Sequence, residues 1–273
     1  MKRFLRRCLI WLLLLFGLEA VMCLTGFRFP TFNGREVFHA ISLSKKKTGK
    51  SLLIMGDSVC QQLYPSQRTY PDAVSLSCNQ AVTMAGHYFL LRNYLKVNAD
   101  ALPKQVVFVC TPLCLQNDLD EFSYQYFLKP FFTREYKPLF SERLMERVRE
   151  IPRYRTARLP FIRVSNHAIA YELEPEDDFE LVSPVSREYL REMYRLASSK
   201  GVSFSLVCTP LRESLVIWTQ TAVDTAEKNG ELDTELLDSY RESILAYPDS
   251  LFRDERHFLP GSIPADPLHL IER

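Results

Sequence analysis

Three short apolar runs, Ser51 to Met55, Gln105 to Cys110 and Val202 to Cys208, restrict this chain more than any other feature. Each has the length of a strand and alternates poorly between apolar and polar residues, the pattern of a strand buried on both faces. Ala73 to Cys78 is a weaker fourth candidate. Between the runs lie helical patterns. Met84 to Leu95 sets Tyr88, Leu91 and Leu95 on one face, Ser141 to Arg149 is charged and amphipathic, and Ser186 to Ser199 spaces Leu190, Met193, Tyr194 and Leu196 among charges. Strands alternating with helices predict an α/β domain, doubly wound around a mostly parallel sheet in a flavodoxin-like three-layer arrangement. At 273 residues and 47% hydrophobic, the chain supplies one sizeable core. The pentapeptide VCTPL occurs twice, at Val109 to Leu113 and Val207 to Leu211, each time closing a strand. Proline ends strand pairing where the chain must leave the sheet.

Ahead of this domain, Lys2, Arg3, Arg6 and Arg7 precede an almost unbroken apolar run from Cys8 to Phe27. A helix of about twenty residues spans a hydrocarbon core of ~30 Å, and the basic flank would stay cytoplasmic. The run is therefore expected to be a transmembrane helix (1–27) that sits in the lipid bilayer and leaves the main domain outside the cytoplasm. Residues 28–50, ending in Lys45, Lys46, Lys47 and Lys50, read as a tether, and 51–273 as the α/β domain. Within it, 118–180 looks inserted. It carries Tyr124, Tyr126, Phe127, Phe131, Phe132 and Tyr136, then Arg143, Arg147, Arg149, Arg153 and Arg155. Such a stretch fits either a contact surface or cap, where tyrosine and arginine are favoured, or a subdomain that packs its aromatics inside.

A formal net charge of +1 gives no electrostatic reason to expect nucleic acid as a partner. Seven cysteines show no CxxC spacing, and five lie outside the apolar N-terminal run. They read as small buried hydrophobes, with no metal and no cofactor expected and no complete disulfide framework.

The chemistry converges on the segment LLIMGDSVCQQL. A buried strand, Leu52 to Met55, runs straight into Gly56-Asp57-Ser58, and functional groups of open α/β sheets gather at such strand ends. A serine there can attack with its hydroxyl while its own N–H faces an oxyanion. Glycine permits the tight turn, and Asp57 can cap the helix that follows. The serine needs a histidine held in the right tautomer. Of five histidines, His39 lies in the tether, His167 in the insertion and His87 at a helix start. Two Asp-x-x-His units remain near the C-terminus, Asp254 to His257 and Asp266 to His269, and either meets the need.

These residues, in this order, resemble the SGNH or GDSL-like hydrolase superfamily, in its membrane-anchored extracytoplasmic branch. The resemblance runs from about Leu52 to His269. It implies a nucleophilic Ser58 in the Gly-Asp-Ser motif and a base from one of the two late units. It also implies an oxyanion glycine at Gly86 and a further donor at Asn117, with Asn79 as another possible donor. Thr111 stands where the family more often has its asparagine, and little chain follows either histidine where the family has a closing helix. The activity implied is that of a serine esterase or O-acyltransferase working through an acyl-Ser58 intermediate. The substrate implied is an acylated envelope or surface glycan or another ester, and the partner a membrane-bound O-acyltransferase. A tethered, non-catalytic component of a polysaccharide-modification system is the alternative. A phosphoryl-transfer role lacks the glycine-rich loop it would need.

Overall fold

A computed structural model describes residues 2–25, 35–78, 82–119, 128–131, 133–150, 180–264 and 267–271. Strands β1 (Leu52–Gly56), β2 (Ala73–Ser75), β3 (Gln105–Cys110) and β4 (Ser203–Cys208) form one parallel sheet in the order β2-β1-β3-β4. The chain turns outward in both directions from the β1/β3 pair, so this pair is the switch point of the sheet. Open α/β sheets hold their ligands at the carboxyl end of such a pair. Gly56 lies opposite Val109, and Cys110 opposite Cys208.

Alternation along the strands divides the core in two. Leu53, Met55, Val106, Phe108 and Leu206 face the larger layer. It is built from α2 (Arg35–Ser44), α4 (Thr83–Val97), α7 (Pro184–Ser198), α8 (Glu213–Lys228) and α9 (Thr234–Glu242). Ile54, Val107, Val109 and Val207 face the thinner layer, where the short α3 (Ser58–Leu63) is joined by Phe252, Phe258 and Ile271. A C-terminal loop thus covers part of the second face, where the family resemblance implies a helix. Two short strands, β5 (Leu211–Arg212) and β6 (Ala246–Tyr247), pair beside the sheet.

One expectation about organisation changes, and of the two readings of the aromatic segment one is met. Part of the tether is the helix α2, whose Val37 and Ala40 are wholly buried in the larger core. Where it is described, the aromatic segment packs inward. Phe131 and Tyr136 stack about Phe89 with Phe140, and α6 (Glu142–Glu150) buries Leu144 and Val148. Tyr124, Tyr126, Phe127, Phe132, Arg153, Arg155 and His167 lie outside the described residues.

At the N-terminus, Lys2–Thr25 is one helix, α1, that exposes large apolar side chains all round, with Trp11 and Phe16 each 67% exposed. Among the described residues no helix is long and apolar enough to cross a membrane. The described side chains of α1 end at Val21, short of the end of the apolar run at Phe27.

His87 sits inside the larger layer, wholly buried, edge-on to Phe108 at 5.0 Å, with neither ring nitrogen partnered among the described residues. Burial lowers its pKa to about 3, so it is a neutral core histidine. The unfolded chain protonates this imidazole near ~6.5. Stability is therefore undiminished above that value and lost as the pH falls towards 3. His87→Met removes the proton-binding difference without leaving an orphaned polar partner. The variant should gain up to about 2 kcal/mol over wild type at pH 5 relative to pH 8, measured by urea unfolding.

Candidate active site

Gly56 ends β1 with φ +152°, and a Cβ there would lie 1.8 Å from the Val109 carbonyl oxygen. Only glycine lets β1 and β3 approach this closely at the turn. Asp57 follows, wholly buried, and accepts four hydrogen bonds. One oxygen takes the backbone N–H of Val59 (2.9 Å) and of Cys60 (3.1 Å), capping α3. The other takes both the N–H and the hydroxyl of Thr111, each at 2.7 Å, at the end of β3. A buried carboxylate is costly unless its lone pairs are satisfied; here donors from two adjacent strand ends satisfy them. The turn is fixed, and Ser58 begins α3 with its N–H unpartnered among the described residues.

The Ser58 Oγ lies 2.9 Å from His257 Nε2. On the far side of the ring, His257 Nδ1 lies 2.9 and 3.0 Å from the two oxygens of Asp254. Asp254 also accepts from the backbone N–H of His257 (2.8 Å) and Arg256 (3.1 Å), so the three-residue spacing folds the carboxylate back onto the ring within one loop. Partial burial pushes the Asp254 carboxyl upward, but these two N–H donors and the adjacent imidazole outweigh it and bring it down to about 2. Asp254 stays ionised through the whole working range. Its contribution to the fold is complete above ~3.9 and lost as the pH falls towards 2.

The loop is held on three sides. Phe252 and Phe258 bridge as an antiparallel pair, with rings stacked at 4.5 Å in the thinner core layer. The Arg253 N–H donates to the His257 carbonyl at 2.7 Å. Gln62, one helical turn beyond Ser58 on α3, donates to the Phe258 carbonyl and accepts from the Phe258 N–H, both at 2.9 Å. The helix carrying the serine thus grips the residue next to the histidine.

Ser58, His257 and Asp254 are brought together; the other expected site residues that the structure describes are not joined to them. His269 is exposed in a 3₁₀ turn, Pro267–Leu270, and Asp266 lies outside the described residues. It is His257 that reaches Ser58. Gly86 is inside α4, where its N–H belongs to the helical ladder and a Cβ would lie 2.2 Å from Val82 Cγ1. It is a packing glycine, not an oxyanion donor. Asn117 is buried at the end of α5 (Pro112–Gln116). Its side-chain oxygen accepts from the Leu119 N–H (3.1 Å), and its carbonyl from the hydroxyls of Ser183 and Ser186. That asparagine ties α5 to α7. Asn79 lies outside the described residues.

Sequence reasoning gave no role to two residues. Thr111 bonds Asp57 at the end of β3, and Gln62 holds the loop that carries His257. The signal for Gln62 was its i+4 spacing from Ser58 on a helix. The five cysteines of the domain are buried and free. Burial, reinforced by the charge of Asp57, pushes the thiols of Cys60 and Cys78 well above their usual range. Among the described residues no group of three or more His, Cys, Asp or Glu is placed to hold a metal ion.

No family model, curated protein or solved structure matches the chain.

Gln62→Leu removes both hydrogen bonds to Phe258 while keeping an apolar stem against the core. Ser58 should then react about 10- to 100-fold more slowly with a serine-directed fluorophosphonate, because His257 is less well positioned, and the Phe258 backbone groups left unpaired should cost about 1–3 kcal/mol of stability. An unchanged rate would mean that the phenylalanine pair alone holds the loop.

Proposed function

We propose that the chain is a serine ester hydrolase or O-acyltransferase of the SGNH type, acting through an acyl-Ser58 intermediate. The observation that carries this reading is the Ser58, His257, Asp254 relay, in which consecutive hydrogen bonds of 2.9 Å join nucleophile, base and carboxylate. Such geometry is the signature of an activated serine. The parallel sheet with the serine at its β1/β3 switch point supports the same reading.

The chemistry follows from the groups present. Ser58 Oγ attacks the acyl carbonyl carbon, forming a C–O bond as its proton passes to His257 Nε2. Negative charge gathers on the former carbonyl oxygen, and the unpartnered Ser58 N–H is one donor for it. Asp254, ionised and bonded to Nδ1, stabilises the imidazolium. The original ester C–O bond then breaks, and its alcohol oxygen takes the proton from Nε2. Water, or the hydroxyl of an acceptor, attacks the acyl-Ser58 carbonyl with His257 again as base, releasing the free serine and an acid or a new ester.

The basic residues in the first two turns of a helix with exposed apolar side chains on every side support a membrane-anchored protein with the catalytic domain outside the cytoplasm. In that setting the substrate would be an acylated envelope or surface glycan, with a membrane-bound O-acyltransferase as the partner supplying or receiving the acyl group. The engagement of Gly86 and Asn117 elsewhere favours one rival, a tethered component that keeps the relay without turning substrate over.

The full chain in detergent micelles, treated with a fluorophosphonate, distinguishes the two. Wild type should be labelled, Ser58→Ala not at all, His257→Ala at least 100-fold more slowly, and His269→Ala at the wild-type rate. Labelling that survives Ser58→Ala would sink the nucleophile, and an unlabelled wild type would leave the non-catalytic component.

A further inference from the structure

The chain enters the α/β domain through α2, which runs along the side of the sheet. Its C-terminus lies at the amino ends of the strands. Ser44 accepts from Asn93 Nδ2 late in α4 (3.2 Å), and the Thr48 N–H just beyond donates to Asn98, the residue that closes α4 (2.8 Å). Ser51 then takes the Gln105 N–H at the start of β3 (3.2 Å). At the other end of α2, burial and then the charge of Glu36 raise the Cys78 thiol above its usual range, and the Cys78 N–H donates to the Gly56 carbonyl at 3.0 Å, beside Asp57 and Ser58. Ten residues of helix rise about 15 Å, close to the roughly 17 Å of the five-residue β1. The start of α2 is therefore on the carboxyl rim of the sheet, the rim that carries the relay.

Only residues 28–34 separate α2 from the apolar run that ends at Phe27. Even fully extended, they hold the start of α2 within about 28 Å of the lipid that the run would enter. The same rim exposes apolar side chains. Outside α1, the exposed large hydrophobic residues among those described are Ile217 (77%) and Leu259 (37%). Leu259 is two residues past His257. Ile217 lies early in α8 next to the half-buried Trp218, which borders a small cavity with Thr111, Pro112 and Arg256 at the end of β3. The amino edge of the sheet carries the lysines, but their charges are largely matched. Lys45 pairs with Glu135 and Lys47 with Asp100, each at 2.7 Å, and Lys50 donates to the Pro71 carbonyl.

We infer that the carboxyl rim of the sheet rests on the bilayer surface, with Ile217 and Leu259 entering the headgroup region and Ser58 turned towards it, so that the ester reaching Ser58 is carried by a membrane-embedded molecule. This rests on the membrane anchor and the acyl-Ser58 reading, and adds an orientation that neither contains. Two apolar side chains bind a bilayer weakly by themselves. The short connection to the anchor keeps them at the surface, where the local lipid concentration is high enough for weak contacts to count. Tryptophan, which joins an apolar ring to a polar N–H, settles at the same depth.

The test uses the full chain with Trp11→Phe, which leaves Trp218 as its one tryptophan, reconstituted in phosphatidylcholine vesicles. Brominated acyl chains should quench Trp218 fluorescence by at least about half, and Ile217→Asp should remove most of that quenching. A fluorophosphonate joined to a phospholipid headgroup by a short spacer should label Ser58 at least about 10-fold faster than the soluble reagent at equal bulk concentration. Ile217→Asp should cut this advantage about 10-fold and leave the soluble rate unchanged. An unquenched Trp218, or labelling by the soluble reagent alone, would overturn the orientation, leave the Ser58 mechanism standing and pass the exposed side chains to a protein partner. Labelling by neither reagent would overturn the enzyme reading, and the quenching of Trp218 would still decide the orientation. A chain that does not float with the vesicles would overturn the anchor and the orientation together.

Discussion

The site depends on one buried anion. Asp57 has no exposed surface, and what keeps its charge inside the protein is four hydrogen bonds drawn from two strand ends. An asparagine could not match it, because whichever way its amide were turned its nitrogen would face a backbone N–H, that of Thr111 or those of Val59 and Cys60, and leave it without an acceptor. The carboxylate thereby fastens the end of β1 to the end of β3 and starts α3 in a single step. Gly56 is the geometric condition for this. With a side chain at that position the two strands could not close to the distance at which Thr111 reaches Asp57. Because Asp57 takes the N–H groups of Val59 and Cys60, the Ser58 N–H is left without a partner among the described residues.

The base is held by different physics. Asp254 and His257 sit on a loop rather than a regular element, and their carboxylate is partly exposed. Rigidity comes from the flanks. The stacked Phe252 and Phe258 rings anchor both ends of the loop in the thinner core layer, and such a pair adds about 0.5–1.5 kcal/mol beyond the burial of its surface. Gln62 then ties α3, and with it Ser58, to the residue next to His257. Residues from this loop, Phe252 and Phe258 among them, cover part of the thinner face of the sheet.

How much of this was legible in the sequence follows from which signals are local. The strands β1, β3 and β4 were readable because strands buried on both faces are unbroken apolar runs, whereas β2, with three residues, barely registers. α8 and α9 were not foreseen. α8 buries Thr219, Ala222, Val223 and Ala226, residues too small to make a visible apolar stripe. α2 passed for a tether because its wholly buried side chains, Val37, Ala40 and Ser44, are small, with lysines immediately after it. Ser58 stood out since strand, glycine and cap all point to one turn. The choice between His257 and His269 did not, because both units have the same spacing and only the Phe252/Phe258 bridge and Gln62 separate them. Gly86 and Asn117 misled for a related reason. A glycine that admits a neighbouring valine and an asparagine that closes a turn look, in one dimension, like the donors of an oxyanion hole.

The two VCTPL copies carry that point to its end. Identical pentapeptides lie abreast in the sheet, yet their threonines do unlike things, because β3 has β1 as a neighbour and β4 does not. Thr111 meets the carboxylate of Asp57 across the strand pair; Thr209 has only β3 beside it, whose Cys110 carbonyl accepts its N–H at 3.2 Å and leaves its hydroxyl unpartnered. The same side chain is a structural clasp at the switch point and an unpartnered donor one strand further out. What the residue does is set by strand order, a property of the whole sheet that five letters do not contain.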